Sequence, residues 1–250
     1  MIQLTIIRIE GYGQWTLTLG SDREAQLQML QARIYHDVQR LFSERDSIVF
    51  FNRFDEYFAI TNGLGADEHL HIQHELTKLY DNMLMSMTIG AGKTAFEANL
   101  NAYRTRKEGR MLDGNSRIFG SVQPQADVAQ IMHIDIDSSA KVGNWLSPYE
   151  LTALVMKIYS RLAEEFLKHD SLAFFLGGDN VMVISNGMSK EQADVVLKKV
   201  TAGNDIKLNC GIGIGKTGRR AAEAATKALD TIRDLREEGK IQTIYEIQCP

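Results

Sequence analysis

The chain has 250 residues, of which 44% are hydrophobic and 24% charged, an ordinary composition for a globular protein with a core. Its net charge of −4 argues against a general nucleic-acid binder, because phosphate backbones need a basic field. No apolar run approaches the ~20 residues of a membrane span. The two cysteines, Cys210 and Cys249, form neither a disulfide framework nor a zinc set. We therefore expect a reduced, cytoplasmic protein without nucleic-acid or membrane partners.

The first half of the chain predicts the order strand, helix, hairpin, helix, strand, helix. The opening strand, Leu4–Glu10, follows neither a basic leader nor a cleavage site, so we do not interpret it as a targeting signal. Ser21–Phe42 carries an apolar stripe at helical spacing, and Ser21 begins it with capping-box spacing. The later predicted elements are a hairpin at Ile48–Thr61 that turns near Asp55, a helix at Asp67–Tyr80, a strand at Leu84–Ala91 and a helix from about Ala95.

The second half repeats this order and adds a final strand. Its predicted elements are strand Ile131–Asp137, helix Pro148–Lys168, hairpin Leu172–Ser185, helix Lys190–Val200, strand Ile206–Ile214, helix Arg219–Arg236 and strand Gln242–Ile247. Ser189 again has capping-box spacing. Met111–Gln125 is rich in Gly, Ser, Asn and Gln and predicts a linker. We therefore divide the chain into a first repeat at 1–118, a linker at 119–127 and a second repeat at 128–250.

One hairpin segment occurs twice, which indicates a duplicated domain. Val49–Gly63 (VFFNRFDEYFAITNG) matches Ala173–Gly187 (AFFLGGDNVMVISNG), with Phe50, Asp55 and Asn62 aligned at a single offset. A repeat of about half the chain length indicates two domains, because a solenoid would have a shorter period. The βαββαβ order of each half predicts an α+β fold of two tandem ferredoxin-like, cyclase-palm domains. Each sheet should carry helices on one face and leave the other face open.

Two further patterns resemble a P-loop and a zinc site, but neither has the full set of residues that such a site requires. TIGAGKT at Thr88–Thr94 and GIGIGKT at Gly211–Thr217 lack the first glycine of a P-loop. We interpret both as strands that run through a glycine turn into a helix. The predicted helix Asp67–Tyr80 contains His69, His71 and His74, of which only His71 and His74 could share a face with Glu75, and no cysteine cluster accompanies them. A solvated helix face is therefore favoured there over a zinc site.

The strand IMHIDID, at Ile131–Asp137, places His133, Asp135 and Asp137 on one face of the sheet. Two carboxylates on one strand face repel each other unless a cation lies between them. Hard oxygen donors without cysteine favour Mg²⁺ or Mn²⁺ over zinc. By itself the pattern is equally compatible with a solvated strand end.

The second copy of the repeated hairpin carries Gly177, Gly178 and Asp179 at its turn. Glycines allow positive φ there and let a phosphate or sugar approach the main chain, although Gly, Asp and Asn are also ordinary turn residues. In a ferredoxin-like sheet this hairpin is adjacent to the IMHIDID strand, so Asp135 and Asp179 should lie side by side. Paired carboxylates under glycines suit metal-assisted nucleotide chemistry.

The first copy differs at the corresponding positions. Arg8 replaces an acid, which argues against a metal pair there, and Arg53 and Phe54 replace the glycines. Two interpretations of Arg8 have equal weight: an ion pair with Glu10 or Asp55, or a phosphate contact across the domain interface. This asymmetry suggests that one copy performs chemistry and the other assists.

The DID strand, the GGDN hairpin and the GIGIG strand before an Ala-rich helix resemble the palm of class III nucleotidyl cyclases and GGDEF diguanylate cyclases. The chain departs from GGDEF at Asn180-Val181-Met182, where a second acid and a phenylalanine are expected. Two fused copies that carry IRIEGYGQWT, RFDEYFAITNG, HIDID, FFLGGDN and SNGMS are similar, over essentially the whole chain, to the archaeal GTP cyclohydrolase III family.

This resemblance implies Mg²⁺-dependent hydrolysis of GTP that opens the imidazole ring and retains the formyl group. The implied products are 2-amino-5-formylamino-6-(5-phosphoribosylamino)pyrimidin-4(3H)-one and two phosphates, early in riboflavin and deazaflavin biosynthesis. The implied cofactors are a pair of Mg²⁺ ions and a monovalent cation. A regulatory palm pair that binds a guanine nucleotide, and a nucleotidyl cyclase, remain alternatives.

Within the implied site, Asp135 and Asp179 are the expected Mg²⁺ ligands, with the Ile136 carbonyl as a third. His133 is a candidate general base because its ordinary pKa lies near neutrality, but an ordinary polar residue of the open face is as good an explanation. The remaining expected nucleotide contacts are Ser138, Ser139, Lys141, Asn144, Gly177, Gly178, Asn180 and Arg233.

Assembly is the last expectation. A sheet face without helices needs a partner, so the two sheets should face each other within one chain. This arrangement brings Arg8, Arg53 and Phe54 near the nucleotide. Closed symmetric oligomers are common, so we expect a homo-oligomer, either a dimer or a tetramer.

Overall fold

A computed structural model describes residues 1–113, 115–123, 128–137, 146–203 and 206–249, with the main chain alone at Asp137. The chain divides into two compact units. One comprises Ile2–Gly92 and Glu97–Asp127, and the other comprises Val128–Pro250 with Met1 and Lys93–Phe96. Within the described ranges, no helix has both the length and the apolar character needed to cross a membrane.

The first repeat is a βαββαβ unit with an extra strand at its edge. Its elements are β1 (Ile2–Ile9), α1 (Tyr12–Leu17), α2 (Glu24–Ser43), β2 (Ile48–Arg53), β3 (Glu56–Ile60), α3 (Ala66–Leu79), β4 (Met85–Gly92), α4 (Ala95–Lys107) and β5 (Ile118–Phe119). The strand order is β2-β3-β1-β4-β5, in which only the short β5 is parallel to its neighbour. The first four strands have the ferredoxin-like order.

The second repeat has the same topology. Its elements are β6 (Ala129–Asp137), α5 (Pro148–Leu167), β7 (Leu172–Gly177), β8 (Asn180–Ile184), α6 (Lys190–Thr201), β9 (Lys207–Gly215), α7 (Gly218–Glu237) and β10 (Ile244–Gln248). The strand order is β10-β9-β6-β8-β7, and only β10 pairs in parallel. The predicted α+β fold of two tandem ferredoxin-like domains is therefore confirmed.

Each repeat has its own core between one face of its sheet and two helices. These helices are α2 and α3 in the first repeat and α5 and α6 in the second. In the second repeat, Ile134 of β6 packs with Leu162 of α5 and Val196 of α6. In the first repeat, Ile7 of β1 packs in the same way with residues of α2 and α3. A fully buried aliphatic side chain contributes about 2 kcal/mol, so these apolar faces fix how the strands are presented on the opposite side.

The opposite face of each sheet is partly covered, contrary to the expectation of an open face. A Cβ on Gly213 in β9 would lie 2.1 Å from the carbonyl oxygen of Ala221 in α7. A Cβ on Gly90 in β4 would lie 2.3 Å from that of Ala98 in α4. The glycines of GIGIG in β9 and of TIGAG in β4 therefore permit close packing of a helix on the sheet, which only a residue without a side chain allows.

Two helix caps and two short elements test the local predictions. The predicted cap at Ser21 is wrong, because α2 begins at Glu24 after Arg23, whose side chain makes no capping bond. The predicted capping box at Ser189 is confirmed. Helix α1 was not predicted because none of its residues is buried, so it has no apolar stripe. Strand β5 lies inside the segment predicted as a linker.

Candidate functional site

The candidate site lies where β6, the β7–β8 turn, β9 and α7 of the second repeat meet. Strand register places Asp135 opposite Asn180 on one side and opposite Asn209 on the other. Asp179 lies in the β7–β8 turn, and its carbonyl oxygen accepts a hydrogen bond from the Ile136 N–H at 2.9 Å. The central strand thus brings Asp135 next to the hairpin that carries Asp179.

The glycines of this turn have the backbone conformation that their sequence position predicts. Gly177 and Gly178 have φ values of 111° and 60°. Residues other than glycine adopt such backbone conformations only at a cost in free energy. Apart from the chain neighbours of each glycine, no atom of the described residues lies within 4 Å of a Cβ built on either one. The described residues therefore leave the main chain open to a ligand at this turn. Arg53 and Phe54, at the corresponding turn of the first repeat, do not have positive φ.

A hydrogen-bond chain runs from Asp179 through Asn180 to His133. The Asn180 amide nitrogen donates to Asp179 Oδ1 at 2.7 Å, so its carbonyl oxygen must accept from His133 Nε2 at 2.9 Å. His133 Nδ1 is then the acceptor for the Thr226 hydroxyl at 3.1 Å. Burial lowers the pKa of His133, although its bond to Asn180 opposes the shift. The neutral ring therefore holds Asn180 in place, and its acceptor nitrogen, Nδ1, is engaged by Thr226.

Among the described residues, Asp135 has only distant partners. Its Oδ1 lies 3.5 Å from Arg233 Nη2, and its Oδ2 lies 3.4 Å from Asn209 Nδ2. Both distances are at the outer limit of a hydrogen bond. Arg233 also pairs with Asp230 at 2.9 Å, and Arg236 holds Asn209 at 2.8 Å. The carboxylate of Asp135, whose side chain is 18% exposed, therefore retains oxygen lone pairs for another ligand.

These residues fit a hard divalent cation. The described residues contain no group of three His, Cys, Asp or Glu side chains that could hold a metal ion. Two carboxylates are nevertheless compatible with Mg²⁺, which commonly binds one or two of them and completes its shell with water and substrate phosphates. Cys210, next to Asn209 in β9, packs in the core on the other face of the sheet.

Some predicted contacts cannot be placed. Ser138, Ser139, Lys141 and Asn144 lie outside the described residues. Arg233, one of the expected nucleotide contacts, lies 3.5 Å from the carboxylate of Asp135. Asn209 and Thr226 were missed by sequence reasoning. The signal for Asn209 is a lone amide in the otherwise apolar KLNCGIGIG strand.

The corresponding face of the first repeat is occupied by ion pairs. Arg8 forms an ion pair with Glu56, its Nε lying 2.9 Å from Oε2. The expected ion pair of Arg8 with Glu10 or Asp55 is wrong, because the β1–β3 register places Glu56 directly opposite Arg8. Asn52 also donates to Glu56 at 2.8 Å, and Arg53 lies 3.5 Å from it. Glu10 pairs instead with Arg106 at 2.5 Å.

Comparisons with known proteins agree along the whole chain. The family model of GTP cyclohydrolase III matches residues 1–246. GTP cyclohydrolase III of Methanocaldococcus jannaschii is 38% identical over 251 residues, which cover 98% of this chain and 93% of the relative. That of Methanosphaera stadtmanae is 37% identical over 239 residues, or 93% of each chain.

Solved structures give a weaker likeness. A bacterial light-regulated adenylyl cyclase is 14% identical with a TM-score of 0.35, and the match covers 94% of this chain and 83% of that one. This likeness is too low to bear on activity. The family match and the curated relatives, by contrast, extend over nearly the full length of the sequence. The chain therefore belongs to the GTP cyclohydrolase III family and is an enzyme.

Proposed function

We propose that the protein hydrolyses GTP in an Mg²⁺-dependent reaction that opens the imidazole ring and retains the formyl group. The products are 2-amino-5-formylamino-6-(5-phosphoribosylamino)pyrimidin-4(3H)-one and two phosphates, and the reaction belongs early in riboflavin and deazaflavin biosynthesis. The full-length family match supports GTP as the substrate. The observation that carries the proposal is the weakly partnered Asp135 beside the hairpin of Asp179.

The residues of the site have separable roles in this proposal. Asp135 and Asp179 would hold Mg²⁺, with the Ile136 carbonyl as a further ligand. Bound Mg²⁺ supplies charge neutralisation for the triphosphate and a lower pKa for bound water. Gly177 and Gly178 let a phosphate approach the main chain, which is open at this turn.

Asn180 and His133 act as positioning residues. Asn180 fixes one oxygen of Asp179, and His133 fixes Asn180. Because both ring nitrogens of His133 are engaged, a role as general base requires that the Thr226 hydroxyl first leave Nδ1. Arg233 adds a positive charge beside Asp135, where it would offset part of the phosphate charge.

A single assay tests the reaction. The full chain is incubated with GTP and Mg²⁺, and phosphate release, ultraviolet absorbance and product mass are followed, with EDTA as the control. We expect two phosphates per GTP, loss of the purine spectrum and a product that retains the formyl carbon. Pyrophosphate release with an intact purine would indicate a cyclase, and an unchanged nucleotide would indicate a binding protein. Either outcome contradicts the proposal.

The contribution of the first repeat stays a prediction. We propose that Arg8, Arg53 and Phe54 complete the nucleotide site, and that the active form is a dimer or tetramer holding a pair of Mg²⁺ ions and a monovalent cation. The repeats can be produced separately by dividing the chain before Pro124. Turnover at the full rate by the second repeat alone would show that the first is not part of the active site.

A further inference from the structure

The first repeat contains a cleft of about 580 Å³ between α1, α2 and the tip of the β2–β3 hairpin. Its volume lies within the range of small-molecule sites, about 300 to 1,000 Å³. The lining residues that matter here are Tyr12, Gln28, Gln31, Tyr35, Phe51 and Phe54. Apart from Phe54, none of them has a role in the site of the second repeat.

Aromatic rings form one wall of this cleft. Phe51 packs edge-on against Tyr35, with centroids 6.0 Å apart, and against Phe54 at 5.1 Å. Phe54, at the hairpin tip, is 49% exposed, so part of its ring is free for another partner. Exposed aromatic surface beside packed rings suits a flat ligand, because bases of every kind stack on such faces.

A row of polar side chains on α2 forms the facing wall. Glu24, Gln28 and Gln31 follow one another at intervals of four and three residues, so they share one helix face. Gln31 is only 6% exposed. Its amide nitrogen donates to the Tyr12 hydroxyl, whereas its carbonyl oxygen has no partner in the described part of the chain.

The unpartnered oxygen of Gln31 points to a ligand with a hydrogen-bond donor. It is not among the polar atoms sealed from the surface, and Gln31 lines the cleft. Water can therefore solvate this oxygen in the cleft, and a ligand donor that reaches it takes the place of that water. Glu24 and Gln28 add further acceptors along the same face.

We propose that this cleft binds a purine base, and that the base is guanine. Guanine is flat and offers ring and exocyclic N–H donors on one edge, which match the acceptor row on α2, whereas adenine offers a single exocyclic donor group. Arg23, which also lines the cleft, supplies a cation for the attached phosphate. That the cleft takes a flat base rests on its own geometry; that the base is guanine rests partly on the function proposed above.

The test is calorimetric titration of the full chain with GMP and, separately, AMP, in EDTA so that no metal contributes. We expect wild type to bind GMP more tightly than AMP. Phe54→Ala should weaken GMP binding about tenfold through lost stacking. Gln31→Leu should remove most of the preference for GMP, because a site built to hydrogen-bond a donor discriminates against ligands without it.

Met29→Ala is the matched control. Met29 lies on α2 but is 66% exposed and outside the cleft, so this variant should bind GMP like wild type. Because Gln31 is buried and its replacement can perturb folding, Phe54→Ala, at an exposed position, keeps the test decisive. Wild-type GMP affinity in Phe54→Ala, or no GMP binding by wild type, would overturn the proposal.

Steady-state kinetics then identify the source of the base. If it belongs to the GTP being hydrolysed, Phe54→Ala should raise KM for GTP about as much as it weakens GMP binding. If it belongs to a separate guanine nucleotide, a second nucleotide should bind per chain, and Gln28→Ala, which alters only the cleft, should weaken GMP binding and leave KM for GTP unchanged. GTP turnover by a protein whose cleft binds no GMP would sink this proposal and leave the proposed function intact.

Discussion

The two repeats share one topology and treat the charges on the same strand face in opposite ways. In the second repeat, the nearest cationic nitrogen to Asp135 in the described part of the chain is on Arg233, at 3.5 Å. In the first repeat the corresponding residue, Arg8, is paired directly with Glu56, whose side chain is only 8% exposed. The first face is therefore neutralised by the protein itself, and the second leaves a carboxylate weakly compensated.

This difference explains how one fold can favour a metal ion in one repeat and disfavour it in the other. A carboxylate with weak partners favours a bound cation, whereas a glutamate already paired with an arginine does not. Removing one member of a buried pair is costly because the other is left uncompensated. Arg8 therefore neutralises Glu56 in the first repeat, which disfavours a metal ion there. In the second repeat, the weakly compensated Asp135 favours one.

The largest expected effect separates the two hairpin acids. Asp179→Asn should lower GTP turnover about a thousandfold, because a carboxylate that we propose as a metal ligand is lost. Circular dichroism and the melting temperature should stay near wild type. Asp55→Asn, at the matching position of the first repeat, should change turnover less than about threefold, since Asp55 only pairs with Arg53 at 3.3 Å. Equal losses in both variants would contradict the division of labour.

The next effect tests what the repeats have in common. Gly213→Ala should reduce the free energy of unfolding by about 3 kcal/mol, because its Cβ would lie 2.1 Å from a backbone oxygen of α7. Gly90→Ala should cost a similar amount in the first repeat. Gly109→Ala is the control: it has positive φ but open space, so it should cost only about 1 kcal/mol. Denaturant unfolding measures all three, and a silent Gly213→Ala would show that α7 does not need this close contact.

A smaller effect concerns the ion pair itself. Arg8→Met should destabilise the chain by about 2 kcal/mol, less than for a fully buried pair because Asn52 still donates to Glu56. The double variant Arg8→Met/Glu56→Gln should recover part of that loss, since no buried charge is left unpaired. Additive losses in this double-mutant cycle would mean that Arg8 and Glu56 do not interact.

The sequence predicted most of the fold because local and repeated signals agreed. Alternation along β6 predicted the shared face of His133 and Asp135, and the duplicated hairpin predicted where Asp179 turns. The partner of Arg8 was beyond such reasoning. The hairpin turn occupies positions 54 and 55, so β3 begins at Glu56 and not at Asp55. Only the register between β1 and β3 shows which of these two acids lies opposite Arg8.

Helix α7 shows a second limit. Its small residues, Ala221 and Ala225 among them, and the glycines of β9 are individually weak signals. Together they are the pattern of a helix that packs closely on a strand, as the distances to Gly213 show. The glycines were interpreted as a turn because a one-dimensional pattern does not show which element approaches a residue from the other face of the sheet.

The smallest expected effect is the pH dependence due to one buried histidine of the first repeat, His69, which has no counterpart at the aligned position of the second. His69 in α3 is fully buried, with Nδ1 bonded to the Gly65 carbonyl at 2.7 Å and Nε2 to Thr5 at 2.8 Å. In the second repeat, the aligned position of α6 holds the buried Ala193. Burial lowers the pKa of His69 below its ordinary 6.5, although the bond to Gly65 opposes the shift.

Because the folded protein resists protonation of His69, the unfolded chain binds more protons as the pH falls. The stability due to neutral His69 is therefore complete above pH 6.5 and is lost below it, by up to about 1.4 kcal/mol per pH unit, until the pH reaches the lower pKa of the folded state. Urea unfolding between pH 7 and pH 5 should show a shallower fall in His69→Gln than in wild type. His71→Gln, at an exposed position of the same helix, should keep the wild-type slope. If all three proteins lose stability at the same rate, His69 does not couple the first repeat to pH.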